Sequence, residues 1–280
     1  MSNVQAVAFG FVERLAQDLR DERLELPAFP EAVLRIQQAL QSADTDTADI
    51  VRILSSEPAL AARLLRIANS AEFRRADTEI TDLRKAISRM GFNMVRTVAV
   101  AFAMRQLRRK EQYCPETQAE LEATWKTSLQ IAAICFVLAK HFTRLSPDQA
   151  LLTGLLHVLG RLYIVMRAED MEDVSDEDIR TVASGWHGAI GKAILESWGL
   201  PESMQHAIEH QDEVALQITG AITLTDLLIV AKLLARGPGG QAPPHCPALT
   251  RLQRGAGDKT LTVVDDYADE IKRVRSSLSE

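Results

Sequence analysis

Three histidines and one aspartate in the C-terminal half of the chain have side chains that could bind a metal ion. They are His157, His187, His210 and Asp226. Imidazoles and carboxylates that project inward from facing helices are how helical proteins build metal sites. If all four converge, they could hold a single divalent ion such as Zn, Fe, Ni or Mn. If they do not converge, they have ordinary core or surface roles and the chain needs no cofactor.

His157 is the most unusual of the four, because it lies inside an almost entirely apolar stretch. The stretch is ALLTGLLHVLGRLYIVM, residues 150–166. A buried polar group without a hydrogen-bond partner costs roughly 1–3 kcal/mol. As a plain core residue, His157 would therefore bond to a neighbour such as Asp226. His210 lies in EHQDE, which also fits a solvated helix end.

Helices must position these residues, since helix signals run through most of the chain. Asp46 or Thr47, and later Ser146, occupy N-cap positions. Gly91 follows a helical segment, where a left-handed cap is favoured. Alternating strand patterns and Asn-Gly hairpins are absent, so the sequence predicts an all-α fold. The predicted helices include one at about 117–142 and one unbroken helix over SPDQALLTGLLHVLGRLYIVMR, residues 146–167.

A charged break separates two helical lobes. The segment RRKEQYCPET, residues 108–117, contains Pro115 and interrupts the apolar helical pattern. We therefore expect an N-terminal helical lobe over residues 1–112 and a second helical lobe over residues 113–236. A glycine- and proline-rich loop and one terminal helix then occupy residues 237–280.

The composition indicates a globular protein in a reducing compartment. The 280 residues include 46% hydrophobic and 25% charged side chains, with a net charge of −6. The three cysteines form no C-x-x-C pair, and the N-terminus lacks the pattern of a secretory signal. No stretch reaches about 18 uninterrupted apolar residues, so no membrane insertion is predicted. The expected location is the cytoplasm.

Positive charge is concentrated in one part of the chain. Residues 52–110 contain 13 basic and 5 acidic residues, a net charge of +8, whereas the segments on either side are acidic. If several of these arginines share a face, they would bind a small anion or an acidic partner. The candidates are Arg63, Arg66, Arg89 and Arg96. They also fit solvated helix faces that pair with the acidic remainder, and sparse aromatic residues make nucleic-acid binding unlikely.

The motifs that carry chemistry point to one superfamily. No glycine-rich phosphate loop, G-x-S-x-G elbow or H-E-x-x-H motif occurs. The segment LLTGLLHVLGRL is instead similar to the central motif of the HD phosphohydrolase superfamily, roughly G-L-L-H-D-I-G. Four further segments resemble the HDOD domain, the HD-related output domain of bacterial signalling proteins, over roughly residues 20–235. They are LPAFPEAVLRI, ADIVRILSSEPALAARLLRIANSAEF, ITDLRKAISRMGFNMVRTVAVAFAM and ASGWHGAIGKAILESWGLPESMQHAIEHQDE.

The resemblance implies an N-terminal helical bundle packed on a degenerate HD-like lobe. It also implies which positions correspond to the superfamily's metal ligands. The first histidine falls at Thr127, in ATWKTS, and the aspartate of the His-Asp pair falls at Val158, so both are lost. Valine offers a metal neither charge nor a lone pair. The four retained positions are His157, His187, His210 and Asp226.

Two functions are compatible with this pattern. The first is a non-catalytic bacterial signal-transduction protein that works by binding, as the resemblance implies a regulatory role without established catalytic activity. Its partner would be an unidentified signalling protein or a small anionic ligand. The alternative is a divergent metal-dependent phosphohydrolase that acts on a nucleotide or cyclic dinucleotide.

Overall fold

The computed structural model describes residues 31–40, 45–70, 79–107, 114–168, 175–236, 245–256 and 259–279, with three single residues nearer the N-terminus. All regular elements within these residues are helices, which confirms the predicted all-α fold. The predicted lobe boundary at residues 112 and 113 and most of the loop predicted after residue 236 lie outside the described residues.

The N-terminal lobe is built from helices whose ends follow local sequence signals. Its described helices are α1 (Glu31–Ala39), α2 (Thr47–Ser55), α3 (Pro58–Ala68) and α4 (Leu83–Leu107). Asp46 caps α2, because its side chain accepts the Asp49 amide while the Asp49 carboxylate accepts the Asp46 amide. Helix α4 changes direction at Gly91, whose φ of 77° suits glycine. The helix end predicted at Gly91 is therefore a kink within α4.

The second lobe surrounds one central helix. Its described helices are α5 (Pro115–Phe142), α6 (Pro147–Leu156), α7 (Leu159–Ala168), α8 (Asp176–Ser197), α9 (Glu202–Glu209) and α10 (Leu224–Ala235). Every residue of α5 from Ile131 to Ala139 is buried, because α6 and α10 pack against it. Helix α4 packs on α6 and connects the lobes, and a single hydrophobic core runs through both.

The unbroken helix predicted over residues 146–167 is wrong at its centre. Helix α6 ends at Leu156 and α7 begins at Leu159. The His157 side chain explains the break, because its Nδ1 donates to the Gly154 carbonyl oxygen at 2.6 Å. In an unbroken α-helix that carbonyl would accept the amide of Val158. A side-chain donor thus replaces a main-chain donor between the two helices. We call residues 157 and 158, which separate the helices, the α6–α7 corner.

Helices α7 and α8 approach each other closely at a glycine. A Cβ atom built on Gly160 would lie 1.9 Å from the carbonyl oxygen of His187 and 2.8 Å from the amide nitrogen of Gly191. No other residue fits there without separating the two helices, because the obstacle is main chain and not a mobile side chain. The glycine therefore sets the distance between the α6–α7 corner and His187.

The C-terminal helices close the second lobe. They are α11 (Pro247–Ala256), α12 (Lys259–Asp266) and α13 (Ala268–Ser279). The single terminal helix predicted here is thus divided at Tyr267. Glu270 of α13 accepts hydrogen bonds from Lys140 Nζ at 2.7 Å and from His141 Nε2 at 2.9 Å, both on α5. The Tyr267 ring stacks on His141 with centroids 4.4 Å apart, so α13 is held against the central helix.

One helical stretch of the described residues has the length and apolar character of a membrane span. It is Pro147–Ala168, which comprises α6 and α7, and its most apolar segment is 89% buried inside the fold. Burial among other helices is the environment of a core element. The stretch is therefore the apolar centre of the second lobe.

Substitution of Gly160 tests the close approach of α7 and α8. We expect Gly160→Ala to destabilise the protein by several kcal/mol (about 3), because the new Cβ atom overlaps main-chain atoms of α8. Urea unfolding followed by circular dichroism measures the change.

Gly185→Ala is the matched control on α8. A Cβ atom at Gly185 meets nothing within 4 Å, so alanine there should be neutral or stabilise the helix by about 0.5–1 kcal/mol. Equal effects of the two substitutions would contradict the packing argument.

Candidate functional site

A cavity of about 710 Å³ opens in the second lobe. It lies between α5, the α6–α7 corner, α8, the segment after α9 and the end of α10. The lining residues from α5, the α6–α7 corner and the first turn of α7 are Glu120, Ala123, Thr124, Thr127, Ile131, His157, Val158 and Arg161. The remaining lining is Arg180, Ala183, Ser184, His187, Gln211, Asp212, Lys232, Ala235 and Arg236. Its volume lies in the range of small-molecule sites, about 300–1,000 Å³.

His157 is a buried neutral imidazole at the inner wall of this cavity. Only 5% of the residue is exposed. Its Nδ1 carries the proton, since it donates to the Gly154 carbonyl, and its Nε2 is therefore the unprotonated nitrogen. Burial and the nearby charge of Lys232 lower the pKa of His157 to about 3. The bond to Asp226 considered from the sequence is replaced by the bond to Gly154.

A chain of polar contacts joins His187 to His157. The Asp212 carboxylate is 2.7 Å from His187 Nε2 through one oxygen and 2.6 Å from Lys232 Nζ through the other. Lys232 Nζ also donates to Gln211 Oε1 at 2.8 Å. Gln211 Nε2 then donates to the main-chain oxygen of His157 at 3.0 Å. The Lys232 ammonium is thus the centre of a network that spans the cavity.

The protonation of the network follows from its contacts. Burial opposes ionisation of Asp212, but the hydrogen bond from His187 and the charge of Lys232 outweigh it and lower the pKa of the carboxyl. Burial lowers the pKa of Lys232, and the Asp212 carboxylate counteracts part of that effect. The two groups form a charge-assisted pair, because a buried charge is tolerated when it is paired and hydrogen-bonded.

The structure brings two of the four predicted ligands to the cavity and places the others elsewhere. His210 ends α9, where its Nδ1 is 2.8 Å from Glu213 Oε1 and its ring stacks on His206 at 4.3 Å. Asp226 caps α10 by accepting the amide and hydroxyl of Thr223, and Arg251 Nη1 donates to it at 3.1 Å. Neither residue lines the cavity with His157 and His187.

The residues at the cavity do not fit a metal ion. Among the described residues, no group of three or more His, Cys, Asp or Glu side chains is arranged to hold one. Both oxygens of Asp212 are engaged, one by His187 and one by the Lys232 ammonium. A divalent cation bound by Asp212 would lie beside that ammonium and be repelled by it. The lost ligand positions, Thr127 and Val158, also line the cavity and add no anionic group.

The four arginines predicted to bind an anion do not form an exposed basic surface. Arg63 is buried and donates to the Leu278 carbonyl of α13. Arg89 donates to the Ala68 carbonyl at 3.4 Å, and Arg96 donates to the Leu40 carbonyl at 3.1 Å. Of the four, Arg66 alone is exposed. These guanidiniums mainly bind helix ends, where carbonyl groups lack helical partners.

Sequence reasoning missed several charged and polar groups of the cavity. They are Arg161, Arg180, Gln211, Asp212, Lys232 and Arg236. A signal for Lys232 was present, because it is the single charge in the apolar segment LLIVAKLLA, residues 227–235. A lone charge in a core helix must be paired or reach a cavity. Arg180 lies in an ordinary polar segment and Arg236 lies at a helix end, and neither context carries such a signal.

The pKa of His157 predicts a loss of stability in mild acid. The folded-state pKa of about 3 lies below the ordinary value of about 6.5. The unfolded chain therefore binds a proton that the native protein excludes as the pH falls below 6.5. We expect His157 to reduce the free energy of unfolding by up to about 2 kcal/mol between pH 7 and pH 5.

Urea unfolding at both pH values measures this loss, and His157→Gln should remove it. The control is the same substitution at an exposed histidine outside the cavity, His206→Gln, which leaves His157 in place. The pKa values of Asp212 and Glu270 are lowered, so protonation of these carboxyls affects the free energy of unfolding mainly below the range from pH 7 to pH 5. An unchanged pH dependence in His157→Gln would contradict the assignment.

Substitution of Lys232 tests the centre of the network. Lys232→Met keeps the length of the side chain and removes the ammonium. We expect the pKa of His157 to rise and the free energy of unfolding at pH 7 to fall by about 1–2 kcal/mol, discounted because Asp212 is half-exposed. NMR titration of the histidine ring protons and urea unfolding measure the two effects.

Lys192→Met is the matched control, since Lys192 pairs with Glu209 at 2.8 Å on the surface of the same lobe. It should leave the His157 titration unchanged and cost under about 1 kcal/mol. If Lys232→Met also leaves the titration unchanged, the ammonium does not control His157.

Solved structures similar to this one are all-helical proteins with low sequence identity, so the likeness is one of fold. A Shewanella amazonensis SB2B protein, proposed to be a metal-dependent phosphohydrolase, is 23% identical with a TM-score of 0.77 over 100% of both chains. A Geobacter sulfurreducens HDOD domain protein of unknown function is 23% identical, with a TM-score of 0.64 over 95% of this chain and 97% of the other. A proposed signal transduction protein from Marinobacter aquaeolei VT8 is 20% identical, with a TM-score of 0.64 over 100% of this chain and 68% of the other.

Sequence comparison identifies the family. An uncharacterized protein from Treponema pallidum (strain Nichols) is 24% identical over 262 residues, which are 86% of this chain and 49% of that protein. The chain thus spans about half the length of the curated relative it matches. The sequence profile of the HDOD domain matches residues 26–214, from α1 to the Asp212 segment at the cavity. Because this match covers most of the chain and both lobes, the protein belongs to the HDOD family.

Proposed function

We propose that this HDOD protein is a non-catalytic regulatory protein of bacterial signal transduction that acts by binding at the cavity of its second lobe. The observation that carries the proposal is the Lys232–Asp212 pair, whose atoms are 2.6 Å apart. The acidic group beside the two cavity histidines is bound to a cation of the protein itself. It is therefore engaged in structure and is not free to ligate a metal.

The chemistry of hydrolysis supports the same proposal. Metal-dependent phosphohydrolysis needs anionic ligands that hold an ion and a metal-bound water that acts as the nucleophile. Valine at position 158 contributes no such ligand, and Asp226 is bound to Thr223 and Arg251 away from the cavity. His157 donates through Nδ1 to a main-chain carbonyl and has a pKa of about 3, so it is a poor general base near neutral pH.

The binding role is also favoured by the comparisons. The Marinobacter protein with this fold is itself a proposed signal transduction protein. A cytoplasmic location and a partner that is a signalling protein or a small anionic ligand belong to the same proposal. The lining of the cavity is suited to binding, since it combines apolar residues with several charged groups.

Metal content and hydrolysis together test the proposal. Purified protein should contain far less than one equivalent of transition metal, as measured by elemental analysis. It should also show no hydrolysis of bis(p-nitrophenyl) phosphate above background with added Mn²⁺ or Ni²⁺.

The contrary result would be about one equivalent of bound metal together with hydrolysis that His187→Ala abolishes. His206→Ala is the control, because His206 lies outside the cavity and should not alter either measurement. That outcome would replace the regulatory proposal with the alternative, a divergent phosphohydrolase that acts on a nucleotide or cyclic dinucleotide.

A further inference from the structure

The cavity has an excess of positive charge after its internal ion pairs are counted. Of the residues that the structure describes, four basic side chains and two acidic side chains line it, which leaves two positive charges in excess. Lys232 is paired with Asp212, and Arg161 Nη2 is paired with Glu120 Oε1 at 2.8 Å. Each pair cancels one positive charge of the lining. The excess therefore lies on the two remaining cations, Arg180 and Arg236.

Within the part of the chain that the structure describes, neither of these guanidiniums has an acidic partner. Among the described residues, no ion pair or side-chain hydrogen bond involves Arg180 or Arg236. The two come from different helices, since Arg180 lies in the first part of α8 and Arg236 directly follows α10. Arg236 lies four residues after Lys232 and is among the causes that lower the pKa of Lys232. An anion held in the cavity would be attracted by both guanidiniums.

Part of the remaining wall is apolar. Ala123, Ile131, Val158, Ala183 and Ala235 contribute side chains without hydrogen-bonding groups. A bare inorganic ion would leave this surface in contact with water, whereas an organic group would cover it. The volume of about 710 Å³ also exceeds what an inorganic ion needs. The cavity thus suits a ligand with a charged end and a compact organic body.

We propose that the cavity binds a small organic phosphate with two negative charges and that it does so without a metal ion. Arg180 and Arg236 bind the phosphate, and the organic body packs against the apolar wall. Guanidinium suits this role because its planar fork of donors matches phosphate oxygens and keeps its charge at any working pH. This inference rests on the proposed binding function and names the class of ligand.

Phenyl phosphate is the probe, because it combines a phosphate dianion above pH 7 with a compact apolar ring. Isothermal titration calorimetry of the full chain at pH 8, low salt and with EDTA should show saturable binding. Phenyl sulfate, which has the same ring and a single charge, should bind at least several-fold more weakly. Binding that requires added metal, or equal affinity for phenyl sulfate, would overturn the inference.

Arginine variants locate the binding site. Arg180→Gln and Arg236→Gln should each weaken phenyl phosphate binding by about tenfold or more, the usual cost of losing a hydrogen bond to a charged group. Arg144→Gln is the matched control, because Arg144 is exposed and lies beyond the far end of α5 from the cavity. Thermal melting should be nearly the same for all three, since each replaces an exposed side chain.

The outcomes separate this inference from the proposed function. Parent-like affinity in both cavity variants, or no binding by the parent, overturns the phosphate site and leaves the non-catalytic role intact. Steady release of inorganic phosphate from phenyl phosphate during the titration would overturn the non-catalytic role. In that case, loss of binding in the two cavity arginine variants would still support the phosphate site.

Discussion

The contact between the Lys232 ammonium and the Asp212 carboxylate is the interaction on which the arrangement of the cavity depends. A charge taken out of water is stable only when it is paired and its remaining donors are bound. Asp212 and Gln211 meet that requirement, and both lie in the segment that follows α9. The same contacts orient His187 through Asp212 and tie Gln211 to the main chain of His157. One half-buried cation thereby joins α10, α8 and the α6–α7 corner.

Close packing brings the elements near enough for this network to form. Helix α5 is buried along its central turns and provides the surface on which α6 and α10 lie. Gly160 allows α7 to approach the main chain of α8 at His187. Helices α6 and α7 are separated at residues 157 and 158, and α7 packs against α8. The position of His187 relative to His157 is therefore a consequence of backbone packing, and the polar contacts then hold the side chains in place.

Arginines and lysines serve two different purposes in this fold. Arg63, Arg89 and Arg96 bind main-chain carbonyls, which holds α13 on α3 and connects helices of the N-terminal lobe. Lys140 binds Glu270 and secures α13 to α5. These cations therefore have structural roles. By charge alone, however, residues 52–110, which contain the three arginines, would be predicted to bind anions. Arg180 and Arg236, by contrast, lie in the second lobe at the cavity.

The amino-acid sequence by itself determined the fold class, the family and much of the local structure. The caps at Asp46 and Ser146, the left-handed backbone of Gly91 and the long central helix follow from short-range signals that tertiary contacts do not overrule. It also located the two lost ligand positions, Thr127 and Val158, at what is the wall of the cavity. Tertiary structure alone decided which polar groups meet.

Helix α10 shows the reason. Asp226 and Lys232 are six residues apart on it, about 9 Å along the axis and on different faces. Periodicity places both on the helix, but only the packing of α10 against α9, α5 and α11 decides which of them reaches the cavity. Asp226 meets Arg251 of α11, and Lys232 meets Asp212. That Lys232 and not Asp226 lines the cavity is therefore a property of how the helices pack, which no spacing along the chain records.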